Sequence, residues 1–393
     1  MSDGLCSRPK QQLVVSESLD LEGVIDEILS LLPAKSLLRF RCVCKAWQAL
    51  ISDPYFIREH LSCINTNIST SYSLLINDEE CFRSAECEAI LEPDNPLSTR
   101  RLDFPVLDPP IDVSEIDIIG SCNGLICLLL DFDCKGCFML WNPCTGEYHV
   151  LPKPPFYPSY PRFCGFGYDS TTDDYKLLLG SYYSANEFVL VFTLKTGSWR
   201  KLEGVNSYFG VDTMGYCKKG CLVNEALHWV LAELDKSDDD VGYFASKIVS
   251  FDLAEETFHE IPFPYPPNPV NRREWSELIA AVGILDNCLT LGFQSIDALA
   301  GRSLNMWVMK DYGVKESWTE VVNIPSGVIE GGYKCISQNG EALFRLKNRH
   351  PWGLVMCNPM EKTFKILFGL DDTATYVESL VSPLMGSTNG ASL

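Results

Sequence analysis

"IIGSCNGLICLLL", residues 118–130, is two apolar runs of strand length on either side of Asn123-Gly124. A two-residue hairpin turn needs positive φ at both central positions, which Asn-Gly tolerates, so the stretch predicts a β-hairpin. "CFMLWNPCTGEYHVLP", residues 137–152, follows and predicts a second hairpin around Thr145-Gly146. Two hairpins in succession make a four-stranded sheet.

The same unit recurs along the chain. Short turns between apolar runs return in "GFGYDSTTDDYKLLLG", "GCLVNEALHWV", "AVGILDNCLTLGF" and "KCISQNGEALFRL". Taking Asn123, Thr172, Asn224, Asn287 and Asn339 as markers, the intervals are 49, 52, 63 and 52 residues. A second hairpin follows each: "FVLVFTLKTGSWRKL", "IVSFDLAEETFHEIP", "LNMWVMKDYGVKESWTEV" and "GLVMCNPMEKTFKILF". An aromatic residue (Tyr148, Trp199, Phe258, Trp318, Phe364) opens the last strand of each unit. Four strands per period of about fifty residues predict a β-propeller. Five full units lie between 115 and 369, and residues 70–105 read as a partial one. "ATYVESLVS", 374–382, supplies its missing strand, so both ends of the repeat close the ring. The count is six blades, with seven as the alternative. A two-sheet sandwich is the competing architecture, and five aligned repeats argue against it.

The region before the repeat reads differently. In "LEGVIDEILSLLP", 21–33, Val24, Ile25, Ile28, Leu29 and Leu32 fall on one helical face. Pro33 interrupts that helix. Leu37, Leu38 and Phe40 then mark a second short helix, and Trp47, Leu50 and Ile51 a third. Asp53 is placed to cap a fourth with Pro54 at its first position. A piece this small cannot bury all its apolar residues alone. Either it packs on the β region or it offers an apolar face to another protein.

Charge sharpens the contrast. The 393-residue chain carries a formal net charge of −20, which argues against a nucleic-acid partner. Residues 34–61, however, hold five basic side chains (Lys35, Arg39, Arg41, Lys45, Arg58) and only two acidic ones (Asp53, Glu59). No apolar run approaches the roughly 20 residues of a membrane span. The polar start is not a secretory signal, and the 17 cysteines show no framework spacing. They are expected as reduced thiols in cytoplasm or nucleus.

Catalytic signatures are missing. There is no Gly-x-Ser-x-Gly elbow, no P-loop and no dinucleotide glycine fingerprint. His60, His149, His228, His259 and His350 are scattered, and His228 beside Trp229 reads as a core histidine. Cys134 and Cys137 have zinc-like spacing without a second pair to match. No cofactor, no metal and no catalysis are expected.

The stretch "LLPAKSLLRFRCVCKAWQALISDPYFIREHL", 31–61, resembles the plant F-box. "LWNPCTGEYHVLP", "LKTGSWRKL", "ALHWV" and "WVMKDYGVKESWTEV" resemble the F-box-associated, kelch-like domain of plant F-box proteins, although the doubled glycines of true kelch repeats are absent. Pollen S-locus F-box proteins and immune-regulating F-box proteins share this layout. The resemblance implies a mainly β chain: a small all-α F-box of three to four short helices, then a propeller of about six four-stranded blades. The implied division is a flexible start over 1–17, the F-box over 18–62, the propeller over 63–385 and a flexible tail over 386–393.

It also implies a Skp-type adaptor as partner and, through it, a cullin and a RING protein. The adaptor contacts carried over fall on Leu21, Ile25, Ile28, Leu29, Leu32, Pro33, Lys35, Leu37, Leu38, Val43, Cys44, Trp47, Leu50 and Ile51. The family opens its first helix with Leu-Pro where this chain has Asp20-Leu21, so part of that contact is expected to be lost. A target protein is expected on the longer, Gly- and Pro-restricted links of the propeller, where aromatic and Arg side chains serve as anchors. The candidates are Phe156, Tyr157, Tyr160, Arg162, Tyr208, Tyr265, Arg272, Arg273, Trp275, Arg349, His350 and Trp352. The expected function is target recruitment for ubiquitination and degradation. The alternatives are a propeller enzyme with a central cofactor and an adaptor-bound scaffold without a degradation role.

Overall fold

The computed structural model describes residues 21–66, 72–78, 80–87, 98–107, 110–112, 115–130, 136–155, 163–183, 186–204, 217–235, 243–264, 281–297, 301–325, 342–346, 353–358, 363–368 and 372–384. The chain divides into two compact units, Met1–Thr66 and Asn67–Leu393.

The first unit holds four helices: α1 (Leu21–Ser30), α2 (Ala34–Phe40), α3 (Lys45–Ile51) and α4 (Pro54–Thr66). Pro33 separates α1 from α2 as the sequence requires, and its carbonyl accepts from the amides of Ser36 at 2.8 Å and Leu37 at 3.2 Å. Cys44 caps α3 through its sulfur, which accepts from the Trp47 amide at 3.4 Å. Asp53 caps α4, its Oδ1 accepting from the Tyr55 amide at 2.8 Å.

Among its described residues the second unit is built almost entirely of strands, with a short 3-10 helix at Lys315–Ser317. Its first sheet joins β1 (Tyr72–Asn77), β2 (Phe82–Glu86) and β3 (Arg100–Arg101) to the last strand of the chain, β24 (Asp372–Val377), in the order β24-β1-β2-β3. The second runs β4 (Ile116–Cys122), β5 (Leu125–Leu130), β6 (Cys137–Trp141) and β7 (Tyr148–Val150). The third holds β8 (Phe163–Asp169), β9 (Asp174–Tyr183), β10 (Asn186–Thr193) and β11 (Ser198–Lys201), with β12 (Lys218–Lys219) added in parallel to β8. The fourth is β13 (Cys221–Val223), β14 (Ala226–Asp235), β15 (Tyr243–Asp252) and β16 (Phe258–Ile261). The fifth is β17 (Ala281–Leu285), β18 (Cys288–Asp297), β19 (Gly301–Met309) and β20 (Trp318–Pro325). The last is β21 (Ala342–Leu346), β22 (Gly353–Asn358) and β23 (Thr363–Phe368).

The first strands stand side by side, β24 with β4, β4 with β8, β8 with β13 and β13 with β17, so they line the ring's axis. Among the described residues five sheets reach four strands or more and the sixth shows three, the stretch expected to supply its first strand, before Asn339-Gly340, lying outside the described residues. The third has five because Lys218–Lys219 pairs with Phe163–Cys164 before the chain enters the fourth sheet.

Strand alternation builds the cores between sheets. On β14, Leu227, Trp229 and Leu231 pack with Phe163, Leu178 and Val191 of the third sheet. Val230, one step out of phase, packs with Leu289 and Leu291 of the fifth. The turn prediction holds where it is described. Asn123 and Gly124 have φ of 53° and 83°, Asn224 and Glu225 53° and 63°, Asp286 and Asn287 49° and 59°. The Asn339-Gly340 turn lies outside the described residues.

Ties between sheets repeat as well. The Trp199 indole donates to the Pro152 carbonyl at 2.6 Å, and the Trp318 indole to the Pro262 carbonyl at 2.8 Å. In each case the aromatic residue opening an outer strand meets the chain leaving the outer strand of the preceding sheet. His228 is the core histidine expected, fully buried, its Nε2 sharing a 2.7 Å hydrogen bond with the Tyr312 hydroxyl.

Closure comes from β24, which pairs with β1 over Tyr72↔Val377 to Asn77↔Asp372. The chain beyond it is fastened to the second sheet. The Asn142 side-chain amide donates to the carbonyls of Ser379 at 3.0 Å and Val381 at 2.7 Å, and the Ser379 hydroxyl donates to the Asn123 carbonyl at 2.7 Å. A Cβ on Gly124 would lie 2.2 Å from the Ser379 hydroxyl oxygen and 2.9 Å from the Val377 carbonyl.

Two outcomes follow from these contacts. Gly124→Ala combines backbone strain with this clash and is expected to cost roughly 3 kcal/mol in denaturant unfolding. Gly146→Ala has φ 77° but open space around the new Cβ, so it is expected to cost only about 1 kcal/mol. The second concerns pH. Burial lowers the His228 pKa from 6.5 to about 4. Between those values the unfolded chain binds a proton that the folded chain refuses, so stability falls as pH drops through the window. Between pH 7 and 4.5 this group is expected to cost roughly 2–3 kcal/mol. Unfolding of wild type and His228→Asn at both pH values checks it, the variant lacking that part of the loss.

Candidate adaptor-binding face and the inner strands of the ring

The helical unit sorts its apolar residues into two sets. Leu29, Ala34, Leu37, Ile51, Phe56 and Ile57 are buried. His60 joins them, fully buried and stacked near the Phe56 ring, with its Nε2 2.8 Å from the Leu32 carbonyl. With a proline at position 33, that carbonyl is at a break in the helical ladder, and His60 on α4 satisfies it. Burial lowers the His60 pKa, which keeps the ring neutral and able to donate through Nε2.

The second set faces outward. Leu31 is 67% exposed, Val43 62%, Ile28 56% and Val24 44%. Four large aliphatic side chains left in solvent by so small a unit mark an interaction surface rather than a folding requirement.

The carried-over candidates divide accordingly. Ile28, Pro33, Val43 and Cys44 are exposed, while Ile25, Leu32, Lys35, Leu38, Trp47 and Leu50 are partly so. Leu29, Leu37 and Ile51 have almost no surface to offer, and their place is in the packing beneath the face. Leu21 opens α1, and its side chain lies outside the description. Trp47 leans on Phe40, ring centroids 5.5 Å apart. Val24 and Leu31 are exposed but absent from the carried-over contacts. Their signal is spacing: with Ile28 they fall at i, i+4 and i+7, along one edge of the apolar helical stripe.

The twelve candidate target contacts on the propeller links (Phe156, Tyr157, Tyr160, Arg162, Tyr208, Tyr265, Arg272, Arg273, Trp275, Arg349, His350 and Trp352) all lie outside the described residues, as does Cys134 of the Cys134–Cys137 pair. No local pattern signals the two ionic clusters that the fold assembles between strands far apart in the chain.

The first cluster joins three inner strands. Lys219 of β12 reaches Asp117 of β4 at 3.1 Å and Asp372 of β24 at 3.2 Å. Asp372 also accepts from the Ile118 amide at 2.7 Å. Burial alone would lower the lysine pKa, and the two carboxylates outweigh it and raise it. Beside this cluster the sulfurs of Cys164 on β8 and Cys217 stand 3.1 Å apart.

The second cluster ties the third sheet to the fourth. Lys176 of β9, almost fully buried, meets Asp169 at 2.9 Å, Glu256 at 2.9 Å and the Leu253 carbonyl at 2.5 Å. Arg200 also pairs with Glu256. Glu256 has φ 56°, in the turn position that Gly146 and Gly197 occupy elsewhere. Its carboxylate accounts for a side chain at a site that favours glycine. Among the described residues no three His, Cys, Asp or Glu side chains converge as metal ligands. No described helix is long and apolar enough to cross a membrane.

A compact helical unit with an uncovered apolar face, preceding a propeller closed by its own last strand, defines a two-module recognition protein. Residues 72–382 match the F-box associated beta propeller domain, and residues 18–59 match the F-box domain. The chain therefore belongs to the F-box associated beta propeller family. It is 26% identical over 388 residues to the F-box/kelch-repeat protein At3g23880 of Arabidopsis thaliana, covering 95% of this chain and 98% of that one. It is 31% identical over 333 residues to the F-box protein CPR1 of the same plant, covering 77% of this chain and 72% of that one. Among solved structures, TolB from Acinetobacter baumannii aligns with a TM-score of 0.48 and 10% identity over 82% of this chain and 69% of its own. An F-box is the adaptor-docking module of Skp–cullin–F-box ubiquitin ligases, which gives the chain a receptor role in general terms.

The two apolar sets of the helical unit are separable by stability. Leu37→Ala is expected to cost about 2–5 kcal/mol. Ile28→Asp and Val43→Asp, on the exposed face, are expected to stay within about 0.5 kcal/mol of wild type in denaturant unfolding.

Proposed function

We propose that this chain is the target-recognition subunit of a Skp–cullin–F-box ubiquitin ligase in the cytoplasm or nucleus. The helical unit docks on the Skp-type adaptor and, through it, on a cullin and a RING protein. The propeller holds a target protein. The observation that carries this reading is the exposed set Val24, Ile28, Leu31 and Val43 on a unit whose buried core is already complete. Leu38, Trp47 and Leu50, partly exposed, extend the same apolar offer.

The chain performs no bond chemistry in this account. It raises the effective concentration of a target's lysines near the ubiquitin-conjugating enzyme carried elsewhere in the assembly. The target is then marked for degradation. Tyr157, Arg273, Trp352 and the other link residues named above are its proposed contacts, because aromatic and Arg side chains dominate protein recognition.

Binding of the full chain to a purified Skp-type adaptor, measured by titration calorimetry, tests the reading. An Ile28→Asp/Val43→Asp double variant is expected to lose at least about 100-fold in affinity, two anchors at roughly 1.4 kcal/mol or more each. Its Tm should match wild type. A wild-type chain with no measurable adaptor affinity, or a double variant that binds as wild type does, overturns the reading.

A further inference from the structure

Cys164 and Cys217 are brought together from 53 positions apart by a local irregularity of the ring. The link between the third and fourth sheets first runs beside β8, where Lys218 pairs with Phe163 and Lys219 with Cys164 in parallel register. Cys217 is the residue that leads into this two-residue ladder. The Cys164 carbonyl accepts from the Gly220 amide at 2.7 Å and from the Trp229 indole at 3.0 Å, so the β8 side of the pair is fixed. On the other side the Lys219 bridges to Asp117 and Asp372 hold β12 in place. Both elements are therefore anchored independently of the thiols, and their sulfurs still meet at 3.1 Å. An approach of roughly 1 Å would bring them to the bond length of a disulfide, about 2.05 Å.

We propose that Cys164 and Cys217 form a reversible redox clip, closed as an intramolecular disulfide by a low-molecular-weight disulfide such as oxidised glutathione and reopened by thiols. Cys217 is the partly exposed member and Cys164 the buried one, so the small oxidant meets Cys217 first. The Cys217 thiolate attacks one sulfur of the oxidant, forming a mixed disulfide and releasing one glutathione thiolate, which takes up a proton. The Cys164 thiolate then attacks the Cys217 sulfur and displaces the second glutathione. Two protein thiols become one disulfide, and one small disulfide becomes two thiols.

The hydrogen bond to Cys164, together with burial, pushes the Cys217 thiol well up, so closure is slow. The closed clip makes permanent a ladder that is otherwise two residues long, and so fixes the point at which the chain enters the fourth sheet. Cys127 of β5 is also fully buried, and a bond from it to Cys164 is the alternative that the mapping must exclude.

Peptide mapping of the folded full-length chain decides the matter. The chain is equilibrated with excess oxidised glutathione, its remaining thiols are alkylated, and it is digested without reduction. The expected product is a Cys164–Cys217 linked peptide, with an intact-mass loss of about 2 Da at that site and full recovery of both thiols after reduction. Amide exchange at Gly220 should slow on closure, and Tm should rise by several degrees. Cys217→Ser should lose both shifts. The wild-type map stands even if that variant folds poorly. Recovery of Cys164 and Cys217 as alkylated thiols, while the exposed Cys42 and Cys44 carry glutathione, overturns the proposal. So does a Cys164–Cys127 link in place of the expected one.

Discussion

The pairing of β24 with β1 is the constraint on which the propeller depends. Six residues at the end of the repeat complete a sheet begun three hundred residues earlier, and no other described strand lies between β1 and the inner strand β4. Without β24 the first sheet has an open inner edge, and an unpaired edge there breaks the closure that the described strands make. The surrounding chemistry reinforces that one joint. Asp372, the first residue of β24, receives both the Ile118 amide and Lys219. Ser379 and Val381, just beyond it, are held by Asn142. The core beneath it combines Ala374 and Tyr376 of β24 with Leu75, Phe82, Ile118 and Trp141 from the first two sheets. Tyr376 also shares a 3.0 Å hydrogen bond with Ser84 across the first sheet.

Much of this was legible in the sequence because it is local. Asn-Gly and Asp-Asn turns announce themselves by the φ values they permit, and period-2 alternation marks the strands between them. Even the closing strand was readable, because a partial repeat at one end needed a partner at the other. The four helices were equally plain from Pro33, Asp53 and Pro54. The irregularities were not. A two-residue parallel strand such as β12 has no periodicity to detect, and it makes the third sheet five-stranded where the repeats suggested four.

The site was legible in kind and less so in detail. Helical spacing identified the apolar residues of the F-box, but spacing cannot say which of two adjacent faces turns inward. Leu29 and Ile28 are neighbours in sequence, one buried and one exposed, and the packing of the helices against one another decides which is which. The ionic clusters around Lys176 and Lys219 draw on residues between 7 and 153 positions apart. Carboxylates are abundant in a chain of net charge −20, so no local signal distinguishes the few that meet a buried cation. Glu256 is the instructive case. Its positive φ looks like a defect in a turn until Lys176 and Arg200 from the neighbouring sheet supply the reason.

The two units divide the work along physical lines. The helical unit completes a core and keeps an apolar face in reserve, whereas the propeller packs its apolar residues between sheets and pairs Lys176 and Lys219 with carboxylates of neighbouring sheets. Amide hydrogen exchange of the full chain, with and without a saturating Skp-type adaptor, tests that division most directly. New protection is expected only in α1, α2 and α3, with exchange in β1, β4 and β24 unchanged. Protection that appears in the propeller strands while the helices exchange as before would contradict it.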